Sequence, residues 1–282
     1  MQTILFPSSS YDPQKVDESL EREYDAVLSA NLFDIVIFDG DKWFDENELK
    51  LNKAVKSSKA IYRGWMMKPE QYKDFYSKLK EQNINLCTTP EEYEHFHLFP
   101  LVYPEFGDDT AKMLVFPDRK VSFDLVKKSF KRFIVKDYVK SVKGTDFPKY
   151  FTSDELTQEE FNNWIETFLK YRGKRLTGGI CIKEYLDLKK YDDCNNEYRI
   201  FVANNNIVSI SRNSGQDCTT PEPPAEFYEK YTKMGSHFYT VDVSETQDGN
   251  WKVIEAGDGS VSGLSDWQDY NAFFRSLYYA FK

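Results

Sequence analysis

Three consecutive asparagines, Asn204-Asn205-Asn206, stand between two apolar runs, Tyr198–Ala203 and Ile207–Ser211. A turn that short between strand-forming segments forces them to lie side by side and antiparallel. The same device recurs at Asp248-Gly249-Asn250, between Phe238–Val243 and Trp251–Ala256. Two such hairpins commit the C-terminal half to a largely antiparallel sheet. Arg132–Tyr138 and Gly179–Leu186 read as further strands. Thr157–Tyr171 has helical spacing instead, with Phe161, Trp164, Ile165 and Phe168 on one face. Thr157 and Glu160 suit a capping box there, and Gly173 stops the helix. An aromatic helix, Trp267–Phe281, closes the chain.

The first third is of a different kind. Short apolar strands at Thr3–Phe6, Phe33–Phe38, Ala60–Arg63 and Asn85–Cys87 are separated by helical patterns at Val16–Ala30 and Pro69–Gln82. Strand–helix alternation predicts an α/β unit around a parallel sheet. Neither G-x-G-x-x-G nor G-x-x-x-x-G-K-[ST] occurs in it, so the common glycine-rich nucleotide loops are not expected. Residues 104–130, with Pro104, Gly107 and Pro117, read as a connection, which places a boundary near 110 and divides the chain into units 1–110 and 111–282.

Charge and cysteine usage exclude several functions. A net charge of -9 argues against sequence-independent nucleic-acid binding, although Lys127–Lys143 is locally basic. The four cysteines, Cys87, Cys181, Cys194 and Cys218, show no C-x-x-C spacing and suggest a reducing compartment. His95 and His97 could share a strand face, but no third histidine or nearby cysteine completes a metal set. The first residues lack a signal-peptide pattern, and no apolar run is long enough for a bilayer. A cytoplasmic protein without a membrane partner is the expectation.

Four features of the second unit carry chemistry. Lys136 sits inside the apolar run Phe133-Ile134-Val135. An ammonium there needs an anion such as a phosphate, or it snorkels at a sheet edge. Lys183-Glu184-Tyr185-Leu186 ends a strand and could offer backbone groups to a flat heterocycle, or be an ordinary strand end. Glu197, Arg199 and Phe201 alternate onto one face, and Arg212 closes the partner strand. Two arginines reaching one face could clamp phosphates, or Arg and Glu could pair across the sheet. Asp242 and Glu255 lie on two hairpin-linked strands at adjacent positions. Carboxylates held so close repel unless a cation such as Mg²⁺ lies between them; the alternative is a solvated surface pair.

This order of strand lysine, hinge, E-x-R-x-F-V hairpin, V-D-V and V-I-E resembles the ATP-grasp superfamily over residues 110–265. E-Y-R-I-F-V, Arg212, V-D-V and V-I-E are similar to its ribosomal-protein glutamate ligases. I-V-K-D-Y-V-K-S around Lys136, and E-x-G-D-G after the last strand, resemble the R-two-K clade more closely. That clade includes the cell-division-cycle protein that assembles translation initiation factor two. The resemblance implies a mixed α/β (α+β) fold, with a Rossmann-like pre-ATP-grasp domain before a two-lobed ATP-grasp domain of largely antiparallel sheets. It implies ATP and Mg²⁺ as cofactors. Lys136 would contact phosphates, Glu184, Tyr185 and Leu186 would form the adenine hinge mainly through backbone, and Lys183 would join the cofactor-binding set. Glu197 and Arg199 would join the nucleotide site, with Arg199 and Arg212 as catalytic residues on phosphate or acyl phosphate. Asp242 and Glu255 would hold the metal. The superfamily's Asn two residues after that Glu is Gly257 here, so Asp258 is the candidate third ligand. The loop from Lys140 to Tyr150 would cover the phosphates.

Two functions follow from that resemblance. One is an ATP-dependent carboxylate–amine ligase acting on a small-molecule, peptide or protein acceptor through an acyl phosphate. The other is an assembly factor or binding module that uses ATP without ligation. Arg63, after a short strand, could bind a substrate carboxylate or stack on Trp65. The long segment 213–237, rich in proline, is expected to act as a lid or an acceptor-binding element.

Overall fold

The computed structural model describes residues 2–216 and 220–282, so Cys218 lies outside the described residues. Its first sheet is wholly parallel, with four strands in the order β2-β1-β3-β4: β1 is Gln2–Pro7, β2 Phe33–Phe38, β3 Lys59–Tyr62 and β4 Asn85–Leu86. Every residue of β1 is buried, as a parallel strand covered on both faces requires. Ile4 and Phe6 face the helices Glu21–Ala30 and Tyr270–Ala280, in a core shared with Phe201, Phe238 and Phe273. Leu5 points the other way, toward Trp43, Phe75 and Leu79. The last helix of the chain therefore covers its first sheet, and the two ends are fused through one core.

A second sheet contains β5 (Met113–Phe116), β6 (Arg132–Asp137), β7 (Phe151–Thr152) and β8 (Ile180–Glu184), in the order β5-β8-β6-β7 and all antiparallel. Phe133, Val135, Ile180 and Ile182 pack under the helices Phe123–Ser129 and Gln158–Arg172 through Val126, Phe161, Ile165 and Phe168. The capping box at Thr157 and Glu160 starts the longer helix. The expected 104–130 connection holds more order than its composition suggested, since it contains β5 and the helix Phe123–Ser129, capped by Ser122.

After a small hairpin of β9 (Lys190–Tyr191) and β10 (Cys194–Asn195) comes the third sheet. Its strands are β11 (Glu197–Ala203), β12 (Asn206–Arg212), β13 (Phe238–Glu245) and β14 (Trp251–Asp258), antiparallel in the order β12-β11-β13-β14. Asn204 and Asn205 both take positive φ, 47° and 63°, which a two-residue hairpin turn needs and asparagine tolerates. One face of this sheet, with Tyr198, Ile200, Val202, Val241 and Val243, packs on Phe96, Phe99, Tyr231 and Met234. Of segment 213–237, Tyr231 and Met234 are buried in this apolar face, and Tyr231 Oη donates to Asp109.

Candidate functional site

The opposite face of the third sheet is polar. Residues in register share a sheet face. Arg199 on β11 is in register with Asp242 on β13, and Asp242 with Glu255 on β14. Arg199 grips Asp242 with both sides of its fork, Nε to Oδ1 at 2.8 Å and Nη2 to Oδ2 at 2.6 Å, and Nη1 donates to the Gly263 carbonyl at 3.0 Å. Glu255 accepts from Lys136 Nζ at 3.0 Å, a contact that crosses from the third sheet to the second. Between Asp242↔Glu255 and Val243↔Val253 the register shifts, leaving Ile254 as an extra residue. Such a bulge re-aims the backbone. Here the Ile254 carbonyl accepts from Lys183 Nζ at 2.5 Å.

Lys136 and Lys183 are thus brought together. Each is at most 5% exposed, and both ammonium groups lie over the Phe99 ring, at 5.1 and 4.4 Å from its centre. Desolvation, aided by the neighbouring Lys136 charge, pulls Lys183 down to about 7. Partial burial opposes ionisation of Glu255, but Lys136 and Lys140 prevail and hold its carboxyl at about 2. Glu197, on the Arg199 face, is pushed up to about 7 by burial and by the Asp242 carboxylate.

Asp137, wholly buried, organises the turn after β6. Its Oδ1 accepts from the backbone of Val139 and Lys140 at 2.7 Å each, which points Lys140 back along the strand. Its Oδ2 accepts from Arg172 Nε at 2.8 Å. One carboxylate therefore places two further cations. A cleft of about 640 Å³ lies between the lobes, lined by Lys136, Lys140, Lys143, Arg172, Arg175 and Lys183. Glu184, Tyr185, Leu186 and the apolar Ile134 and Leu188 line it too, with Glu255. The hinge N–H groups of Glu184 and Tyr185 are already bonded to the Lys112 and Arg132 carbonyls, at 2.8 and 3.0 Å. A cleft with six cations and an apolar stretch fits a polyphosphate attached to a flat ring.

Most of the expected residues meet here, but not all. Lys136, Lys183, Glu184, Tyr185, Leu186 and Glu255 line the cleft. Arg199 and Asp242 border a small adjoining cavity with Glu255 and Lys140. Glu197 is nearby, accepting from Asn213 Nδ2 at 3.1 Å. Arg212 is a correction: it is in register with Tyr198, so it projects from the face opposite Arg199, with its guanidinium over Trp267. Arg63 is another. It is 2% exposed, paired with Glu23 at 2.7 and 2.8 Å and donating to the Gly259 carbonyl, so it serves the core in place of a substrate. Asp258 borders the small cavity but is in register with Tyr239, on the sheet face away from Asp242. Burial pushes its carboxyl up to about 7 against a hydrogen bond from the Ser260 N–H, and Oδ2 has no partner among the described residues. Among the described residues, no three His, Cys, Asp or Glu side chains gather at metal-binding spacing. Two carboxylates sharing a face still fit Mg²⁺, which takes one or two from protein and the rest from phosphate and water.

Lys140, Arg172 and Arg175 were not singled out as site residues by sequence. The signal for the two arginines was Arg172-Gly173-Lys174-Arg175, a basic run at a helix end where Gly173 had been read only as a stop.

Comparison with known proteins now bears on this geometry. A family model described as ATP-grasp domain, R-two-K clade family 3, matches residues 126–277. No curated protein matches the chain by sequence. Solved structures are similar in fold at low identity. The ATP-grasp ligase PsnB, complexed with a phosphomimetic variant of minimal precursor, Mg and ADP, superposes with a TM-score of 0.64 at 11% identity, over 100% of this chain and 99% of that one. D-cycloserine synthetase DcsG gives 0.63 at 11%, over 99% and 100%. D-alanyl-alanine synthetase A from Vibrio cholerae gives 0.61 at 13%, over 99% and 98%.

Proposed function

The chain belongs to family 3 of the R-two-K clade of ATP-grasp domains, and we propose that it binds Mg-ATP between its lobes and uses it to join a carboxylate to an amine. The observation that carries this reading is the charge ladder Arg199–Asp242–Glu255–Lys136, which runs from the small adjoining cavity into the cleft, beside Lys140 and Lys183. Such a ladder is a set of exchangeable partners. An arriving triphosphate offers Lys136, Lys140 and Lys183 oxygens stronger in charge than one shared carboxylate. Asp242 and Glu255 would hold Mg²⁺, which would offset the charge of the phosphates.

In the proposed reaction an acceptor carboxylate oxygen attacks the γ-phosphorus and ADP departs. The amine then attacks the acyl phosphate carbonyl, and phosphate leaves. The protein's share is positioning and charge stabilisation. Arg199 steadies the oxygens of the transferred group, and Leu186 with its neighbours seats the base. The acceptor is a small molecule, peptide or protein. We also take residues 1–110 and 111–282 as the two units of the chain. This is supported by the second sheet's core, which draws only on residues beyond 110.

One observation favours the rival reading of nucleotide binding without ligation: Asp242 and Glu255 are both engaged by cations of the protein itself. Turnover separates the two. Incubation with Mg-ATP and panels of carboxylates and amines should release ADP and phosphate only when both partners are present, with a coupled product of the summed mass less water. ATP bound but never hydrolysed across a broad panel would sink the ligase and leave the binding module.

A further inference from the structure

A second groove, of about 780 Å³, runs from the basic side of the cleft along the first unit. It shares Lys140, Arg172 and Arg175 with the cleft, and Met66, His97 and Val139 with the small cavity at Arg199, Asp242 and Glu255. It therefore leads to the place where the charge ladder ends. Its two banks differ in sign. The bank from the first unit carries Asp45, Glu70 and Asp74 beside a single Lys68, and the other carries Lys174 and Arg175. All five of Asp45, Glu70, Asp74, Lys174 and Arg175 are exposed, and among the described residues none of them has an ion-pair partner. Apolar side chains lie between, including the exposed Met66 and the half-buried Phe44. Trp43, a fully buried wall residue, has an indole N–H with no acceptor among the described residues. Buried indoles ordinarily find one, and a ligand carbonyl is of the right kind.

We propose that this groove is the acceptor site and that its occupant is a dipolar peptide. Its positive side chains lie along Asp45, Glu70 and Asp74, and its carboxylate faces Lys174, Arg175 and Lys140 at the cleft end. The volume suits a short peptide, and the opposed unpaired banks set its direction. A neutral or purely anionic acceptor would leave the acidic bank without a partner. The inference rests on the nucleotide reading only for the identity of the reacting end; the groove's charge selectivity is independent of ATP.

Fluorescence anisotropy tests it with a fluorescein-labelled peptide that has lysines at one end and glutamates at the other, against a control in which glutamines replace the lysines. Wild type should prefer the lysine-bearing peptide by about tenfold, as a few exposed charge pairs allow. The triple variant Asp45→Asn, Glu70→Gln, Asp74→Asn should bind both peptides alike while its Mg-ATP affinity, read by calorimetry, is unchanged. Absence of binding, equal binding by wild type, or full preference in the variant would each overturn the proposal. Preference lost in the variant, with no ATP bound by either protein, would uphold the groove and remove the nucleotide reading.

Discussion

Lys183 shows how far a single residue's environment carries function. The resemblance puts it at the nucleotide site without giving it a role, and the bulge at Ile254 and the Phe99 ring make its side chain a buried ammonium. With its acidity shifted to about 7, it is charged on the acid side of neutrality and loses its charge above it. Mg-ATP affinity should therefore weaken several-fold between about pH 6 and about pH 8 in wild type, beyond the change shown by Lys183→Met. Parallel calorimetric pH profiles check this, and identical slopes would refute it. Asp258 gives a stability counterpart. Its carboxyl has an ordinary value of 3.8 but reaches about 7 when buried. Between those values the folded protein holds a proton that the unfolded chain has released. This residue's contribution to stability therefore falls as pH rises through that window and stays low above it. Urea unfolding of Asp258→Asn should show that wild type loses ground to the variant across the window, on the order of a few kcal/mol. Parity explains which residues could be read from sequence. Asp242 and Glu255 were legible as neighbours on hairpin-linked strands, but they face together because the bulge at Ile254 shifts the register by one residue; unshifted, Asp242 would lie opposite Ile254. Arg212 was misassigned because the register changes along the ladder: counted from the turn it would lie opposite Glu197, and the shift between Phe201 and Val202 sets it opposite Tyr198, on the other face.

Elements were legible where local chemistry decided them. The asparagine turn, the Thr157 capping box and the Phe33–Phe38 strand are as expected. The pair His95 and His97 shows a missed local signal. Thr89-Pro90-Glu91-Glu92 is a full capping box that starts the helix Pro90–His97, so these histidines are helical. His95 bonds Glu105 at 2.6 Å, and His97 is buried against Tyr93. Segment 213–237 could not be placed by composition, because its anchors are distant. Gln216 bonds Asn196 and Thr220, and Tyr231 and Met234 fill the apolar face of the third sheet. Met234→Ala should cost about 2–5 kcal/mol in unfolding free energy and leave Mg-ATP affinity unchanged. Denaturant titration and calorimetry together check this; lost affinity in a fully folded variant would mean that the segment serves the site.

At the scale of the whole molecule, one core joins the chain's ends and a separate core supports residues 114–182, so the cleft lies between bodies with their own packing. That long-range arrangement was not written in any local pattern. Only the resemblance of ordered motifs pointed to it, and the facing of Lys136 onto Glu255 came from the tertiary fold. Both lobes contribute to one charge ladder, and the account stands on the claim that a nucleotide's phosphates enter it. Calorimetry of ATP binding, with and without Mg²⁺, tests that claim most directly, on wild type, Lys136→Ala and Asp242→Asn shown to be folded. The account predicts Mg-dependent binding that each substitution weakens by about tenfold or more. A well-folded wild type that binds no ATP, or variants that bind it as tightly as wild type, would contradict it.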